Sequence, residues 1–171
     1  MSSRSTSAAA HAERPKVVIE RTYRARVEEM WDLWTTKEGF ESWWGPEGFR
    51  VEVHTLEARV GGTLYYDMIT DVPQQIEALK RMGHPASHET RGKFVELAPR
   101  KRLAITHMID FLPGVTPYES TITVEFFPSG DSVRMVVSLD PMHDEHWTKM
   151  QAAGFTSQLT KLDKRLGGQE R

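Results

Sequence analysis

Two hydrophobic rhythms divide the chain: alternation every second residue marks strands, and recurrence every third or fourth marks helices. The first strand spans Lys16 to Tyr23, where Val17, Val18 and Ile19 form a β-branched run and Arg21 and Tyr23 continue the alternation. The spacing then changes. From Arg26 onward Val27, Met30, Trp31 and Trp34 recur at helical intervals, and Glu28 and Glu29 sit in the first turn, where the helix dipole favours them. A second short helical piece, Lys37 to Trp44, carries Phe40, Trp43 and Trp44 and stops at Gly45-Pro46.

Six further strands are expected at Phe49 to Leu56, Thr63 to Ile69, Thr90 to Leu97, Arg102 to Asp110, Tyr118 to Phe127 and Ser132 to Leu139. Gly61-Gly62, Pro99-Arg100-Lys101, Pro113-Gly114 and Pro128 to Asp131 supply the turns, and connections this short imply an antiparallel meander. Ile122, Val124 and Phe126, then Val133, Met135, Val137 and Leu139, alternate with polar residues, so one face of the sheet is wet and the other must be covered. The cover is a helix from Pro141 to Leu166, with Asp140 as its cap and Trp147, Met150, Gly154, Phe155, Gln158, Leu159, Leu162 and Leu166 as its stripe. The segment 71–89 is longer than a hairpin needs. Pro73 opens a short helix in it, with Ile76, Leu79 and Met82 on one side and Gly83 and Pro85 at its end. Two readings of this insertion stay open: a lid over a cavity, or a cover for a strand edge.

The expected class is therefore α+β, a curved antiparallel sheet wrapped around a long C-terminal helix, with two short helices after the first strand. Residues 1–15 are expected to be a disordered tail, 16–168 one domain with 71–89 inserted in it, and 169–171 a disordered end. Composition narrows the function. A net charge of -2 gives no reason to expect nucleic acid, and no apolar run approaches the roughly 18 residues of a membrane span. The chain contains no cysteine, which removes disulfides and thiolate chemistry and makes the cytoplasm the expected compartment.

Particular residues add a family likeness: Arg21 and Ala25, Met30-Trp31, Trp43-Trp44-Gly45-Pro46, Arg59-Val60-Gly61-Gly62, Gly92 and Phe94 before Leu97-Ala98-Pro99, Leu103, and Gly154-Phe155. In these the chain resembles the SRPBCC superfamily with its Bet v 1-like, START-like helix-grip fold, in the branch of the C-terminal domain of the activator of heat-shock protein 90 ATPase. The likeness runs from about Val17 to Leu166; Arg26, Val60, Phe155 and the insertion depart from it. The resemblance implies the helix-grip fold. It leaves function open among lipid or other hydrophobic-ligand binding, cyclase chemistry and a stress-response co-chaperone role with a protein partner. The activator's additional N-terminal domain is lacking, so stimulation of a chaperone ATPase is not expected.

A cavity under the long helix is the expected site, taking a small hydrophobic or aromatic molecule without a cofactor. Its expected lining is Trp31, Trp34, Trp44, Leu64, Tyr66, Met68, Ile105, His107, Met150 and Phe155. For the tryptophans the alternative is a hydrophobic joint between helices and sheet. His107 is the one candidate for acid or base catalysis in the cavity, of a cyclase or dehydratase kind, set against a histidine simply hydrogen-bonded into the core. His84 with His88, and His143 with Asp144 and His146, lack any recognised ligand spacing, and no metal is expected. Nor does Gly61-Gly62 lead into a helix, as a phosphate loop would.

Overall fold

The computed structural model describes residues 15–83, 85–110, 114–166 and 169–170. The expected tail lies outside these residues up to 14, as do His84, Pro113 of the Pro113-Gly114 turn, and Arg171. Strand β1 (Val17–Tyr23) leads into helices α1 (Val27–Thr35) and α2 (Lys37–Glu41), then strands β2 (Phe49–Leu56) and β3 (Thr63–Thr70). Helix α3 (Pro73–Arg81) fills the insertion. Strands β4 (Ser87–Ala98), β5 (Arg102–Ile109), β6 (Tyr118–Ser129) and β7 (Ser132–Leu139) follow, then helix α4 (Glu145–Leu166) and a two-residue strand β8 (Gln169–Glu170).

The strands form one sheet in the order β2-β3-β4-β5-β6-β7-β1-β8, antiparallel at every pairing. The meander from β2 to β7 follows from its tight turns, while β1 returns to pair with β7 from Val17 opposite Leu139 to Tyr23 opposite Val133. Register shifts between Val53 and Thr55 and between Phe94 and Glu96 insert bulges, which bend strands and strengthen their twist. The sheet thereby curls around α4, the α+β helix-grip arrangement. Its concave face carries the alternating residues Val124, Phe126, Val133, Met135, Val137 and Leu139, all buried.

Several boundaries differ from expectation. Helix α4 begins at Glu145, not Pro141, because Asp144 is its cap: Asp144 Oδ1 accepts the Trp147 backbone N–H at 2.8 Å. Asp140 instead accepts the Thr121 backbone N–H at 3.1 Å, tying β7's end to β6. Five residues therefore bridge strand to helix, and one of them, Met142, is buried. Helix α2 ends at Glu41, since Trp43 and Trp44 bond back to the Phe40 carbonyl in a turn that directs both indoles inward. At the C-terminus, where 169–171 were expected to be disordered, residues 169 and 170 pair with Thr22 and Arg21 of β1, using that strand's free edge.

Helix α4 is unevenly seated. Its buried side chains are Phe155, Gln158, Leu159 and Leu162, all in the C-terminal part, while Met150 near its start is exposed. The seated part is fastened to the loop between α2 and β2. Lys161 Nζ donates to the Phe49 carbonyl at 2.6 Å, and the Thr160 hydroxyl donates to Glu47 Oε1 at 2.6 Å. That hydroxyl and the Lys164 ammonium hold the Glu47 carboxyl below the usual carboxylate range. The N-terminal part of the helix stands off the sheet and leaves space beneath it.

Candidate functional site

That space is a cavity of about 690 Å³. Strands β3 to β6 form its floor, α4 its roof, and α3 with Pro85 and Ala86 one wall of its mouth. Leu79 of α3 and Met82, the residue that caps its end, line it. The insertion therefore borders a cavity.

Of the residues expected from sequence, Trp44, Tyr66, Met68, His107, Met150 and Phe155 line this space. Trp31, Trp34, Leu64 and Ile105 do not. Trp34 is fully buried among Trp43, Trp44 and Phe155, and Trp31 packs edge-on against Phe126 at 5.9 Å. Leu64 and Ile105 lie on the expected inward face but are sealed in the solid core. Strand parity gives the face on which a side chain lies and not the point at which packed core gives way to space. The tryptophans thus divide between the two readings: Trp44 borders the cavity, while Trp31, Trp34 and Trp43 form the joint.

The floor carries a polar relay. The Trp44 indole N–H donates to the Tyr66 hydroxyl at 2.9 Å, and that hydroxyl lies 3.1 Å from His107 Nε2. The Trp44 and His107 rings stack at 6.3 Å with 16° between planes. His107 fits here because Gly92 stands opposite it in the ladder: a Cβ at Gly92 would lie 3.3 Å from the His107 ring and 3.0 Å from the Thr106 carbonyl. Burial pulls the His107 imidazole down to about 4, so the ring is neutral at neutral pH, and burial pushes the Tyr66 hydroxyl well above its ordinary value. A neutral relay of this kind orients hydrogen bonds without bringing a charge into the cavity.

Other lining residues escaped the sequence reading. Phe49, Ile109, Ile122 and Trp147 carried the correct periodicity but no chemical mark, and Ser120 and Gln158 looked like ordinary polar positions. His88 also faces the cavity, because β4 starts at Ser87, three residues before the strand boundary read from sequence. Five of the eight methionines, Met68, Met82, Met108, Met142 and Met150, surround the space, and Met82, Met108 and Met150 are exposed at its rim. His143 is engaged elsewhere, its Nδ1 3.0 Å from the Tyr118 hydroxyl. Among the described residues no group of three histidine or acidic side chains is placed to hold a metal. No helix among them is long and apolar enough to cross a membrane.

A sheet closed on one long helix over an apolar cavity defines a helix-grip protein. The family model for "Activator of Hsp90 ATPase homolog 1-like protein" matches residues 24–167, and the chain belongs to that family, within the superfamily its sequence resembles. No curated protein matches it. Among solved structures, a protein from Chromobacterium violaceum is similar at a TM-score of 0.68 and 18% identity, covering 90% of this chain and 98% of the other. The AHSA1 protein from Silicibacter pomeroyi aligns at 0.69 and 19%, covering 88% and 96%. An AHSA1-like protein from Aeromonas hydrophila aligns at 0.61 and 16%, covering 87% and 90%. At these identities the likeness shows the fold.

Proposed function

We propose that this protein binds a small apolar or aromatic molecule in the cavity between the sheet and α4. The observation that carries this reading is the cavity itself: about 690 Å³, walled by Trp44, Phe155, Ile122 and the methionines, with a few polar groups gathered on its floor. Methionine side chains are flexible and polarisable, so a rim of Met82, Met108 and Met150 adapts to more than one ligand shape. The family's name invokes activation of a chaperone ATPase. Here three of the seven exposed large apolar residues among those described, Met82, Met108 and Met150, gather at the mouth, which favours a small guest there. An acid or base role for His107 has less support, since none of the described lining residues is a carboxylate and the ring is hydrogen-bonded to the Tyr66 hydroxyl.

The test is fluorescence of N-phenyl-1-naphthylamine, an uncharged probe that brightens in apolar surroundings. Saturable binding is expected, together with added stability of about 2.7 kcal/mol when the free probe stands at a hundred times its dissociation constant. Ile122→Trp, which fills the space with an indole, is expected to weaken probe binding by about tenfold or more while the fold survives. Absence of saturable binding, or a filled variant that binds as well as the parent, would count decisively against the cavity as a binding site.

A further inference from the structure

The cavity's polar atoms point to the ligand's chemistry. Tyr66 and His107 satisfy one another, and Trp44 is spent on Tyr66. Two nearly buried side chains are left with an unpartnered atom. Ser120 is 2% exposed and lines the cavity opposite His107 in the ladder, yet its Oγ has no hydrogen-bond partner among the described residues. Gln158 is 4% exposed and lines the cavity beside Trp44. Its Oε1 accepts the Gly45 backbone N–H at 2.9 Å, an attachment made possible by the left-handed Gly45 at φ 97°, and this fixes the amide so that Nε2 is the free end.

A buried donor without an acceptor is costly, and such groups in native proteins usually mark a water or a ligand. Gln158 Nε2 can only donate, and the Ser120 hydroxyl can donate as well. A third unpartnered atom, Gln151 Oε1, belongs to a half-buried residue on the less firmly seated part of α4 and can only accept. The described lining residues include no lysine, arginine, aspartate or glutamate. A carboxylate or ammonium group on the ligand would therefore find no permanently charged partner in the lining, where the ionisable side chains are Tyr66, His88 and His107, and burying it unpaired is strongly unfavourable.

Resting on the cavity-binding reading above, we propose that the ligand is an uncharged apolar molecule bearing a carbonyl-class oxygen, which accepts hydrogen bonds from Gln158 Nε2 and Ser120 Oγ beside the Trp44–His107 stack. Fatty acids and amines are then poor ligands, and ketones, esters and amides of matching shape are good ones.

Three compounds sharing one ring system separate the possibilities: 2-acetylnaphthalene, 2-ethylnaphthalene and 2-naphthoate, each competing with N-phenyl-1-naphthylamine at pH 7. The ketone is expected to bind about fivefold tighter than the ethyl compound and at least about tenfold tighter than the carboxylate. Gln158→Met keeps the length of the side chain and removes the donor without bringing in a charge. Ser120→Ala removes the hydroxyl with little change in shape. Both are expected to shrink the ketone's advantage over the ethyl compound, and a cooperative urea unfolding transition shows that each variant is folded. Equal affinity of ketone and ethyl compound, preference for the carboxylate, or an advantage unchanged in both variants overturns the carbonyl assignment and leaves the cavity reading standing. If the parent protein does not bind the probe, both readings fall.

Discussion

Replacing Trp34 with alanine is expected to lower the unfolding free energy by about 4 kcal/mol, measured by urea denaturation at pH 7. The side chain is fully buried, and its ring meets Trp43 at 5.0 Å and Trp44 at 5.4 Å, both edge-on, and lies nearly parallel to Phe155 at 6.4 Å. One indole thus joins α1, the turn after α2 and the roof helix α4. Its removal costs the transfer of a large ring and opens a void among rings that cannot all close in, since the Trp43 N–H is anchored to the Leu33 carbonyl at 2.8 Å. Trp34→Phe is the control. The Trp34 indole N–H is buried without a partner among the described residues, so phenylalanine gives up some contact but also removes an unsatisfied donor, for an expected net loss near 1 kcal/mol. Because Trp44 borders the cavity and leans on Trp34, the alanine variant is also expected to lose probe binding. If alanine were as mild as phenylalanine, the cluster would not be the joint between helix and sheet.

That cluster shows where the sequence is legible and where it is not. Alternation placed Leu64, Tyr66 and Met68 on one face, and Leu103, Ile105 and His107 likewise, because a strand's period of two is geometric and leaves little to context. It left untold that Leu64 and Ile105 sit in solid core while Tyr66 and His107 meet open space. That difference is set by how α4 is seated: the loop from Gly45 to Phe49 fastens its C-terminal part, and the space opens under its N-terminal part. The sequence points to Asp140 as the cap of α4, yet the chemically equivalent Asp144 takes that role and Asp140 takes the Thr121 N–H, a choice made by how the chain around the buried Met142 packs. Ser120 and Gln158 carry no sequence signal at all. Their significance is the absence of a partner, a property of the folded surroundings and not of residue type.

His107 supplies the second large effect, as a dependence of stability on pH. Its folded value is about 4, against roughly 6.5 for an unfolded histidine, and the cause is burial. Below pH 6.5 the unfolded chain therefore takes up a proton that the folded protein refuses until the pH nears 4. The stabilising contribution is complete above pH 6.5 and drains away as the pH falls through the window from 6.5 to 4, with no further loss below it. Between pH 7 and pH 4.5 the expected loss from this residue alone is ~2 kcal/mol. Other groups titrate in the same range, so the measurement is a difference. His107→Gln keeps an amide within reach of the Tyr66 hydroxyl and cannot be protonated, and its stability is expected to fall by ~2 kcal/mol less than the parent's over the same interval. The comparison is sound because the other titratable groups lining the cavity, Tyr66 and His88, are present in both proteins. If the two proteins lose stability in parallel, His107 is not held neutral by its burial. The low-charge interior on which carbonyl recognition depends would then have to admit a cation, and charged ligands would return as candidates.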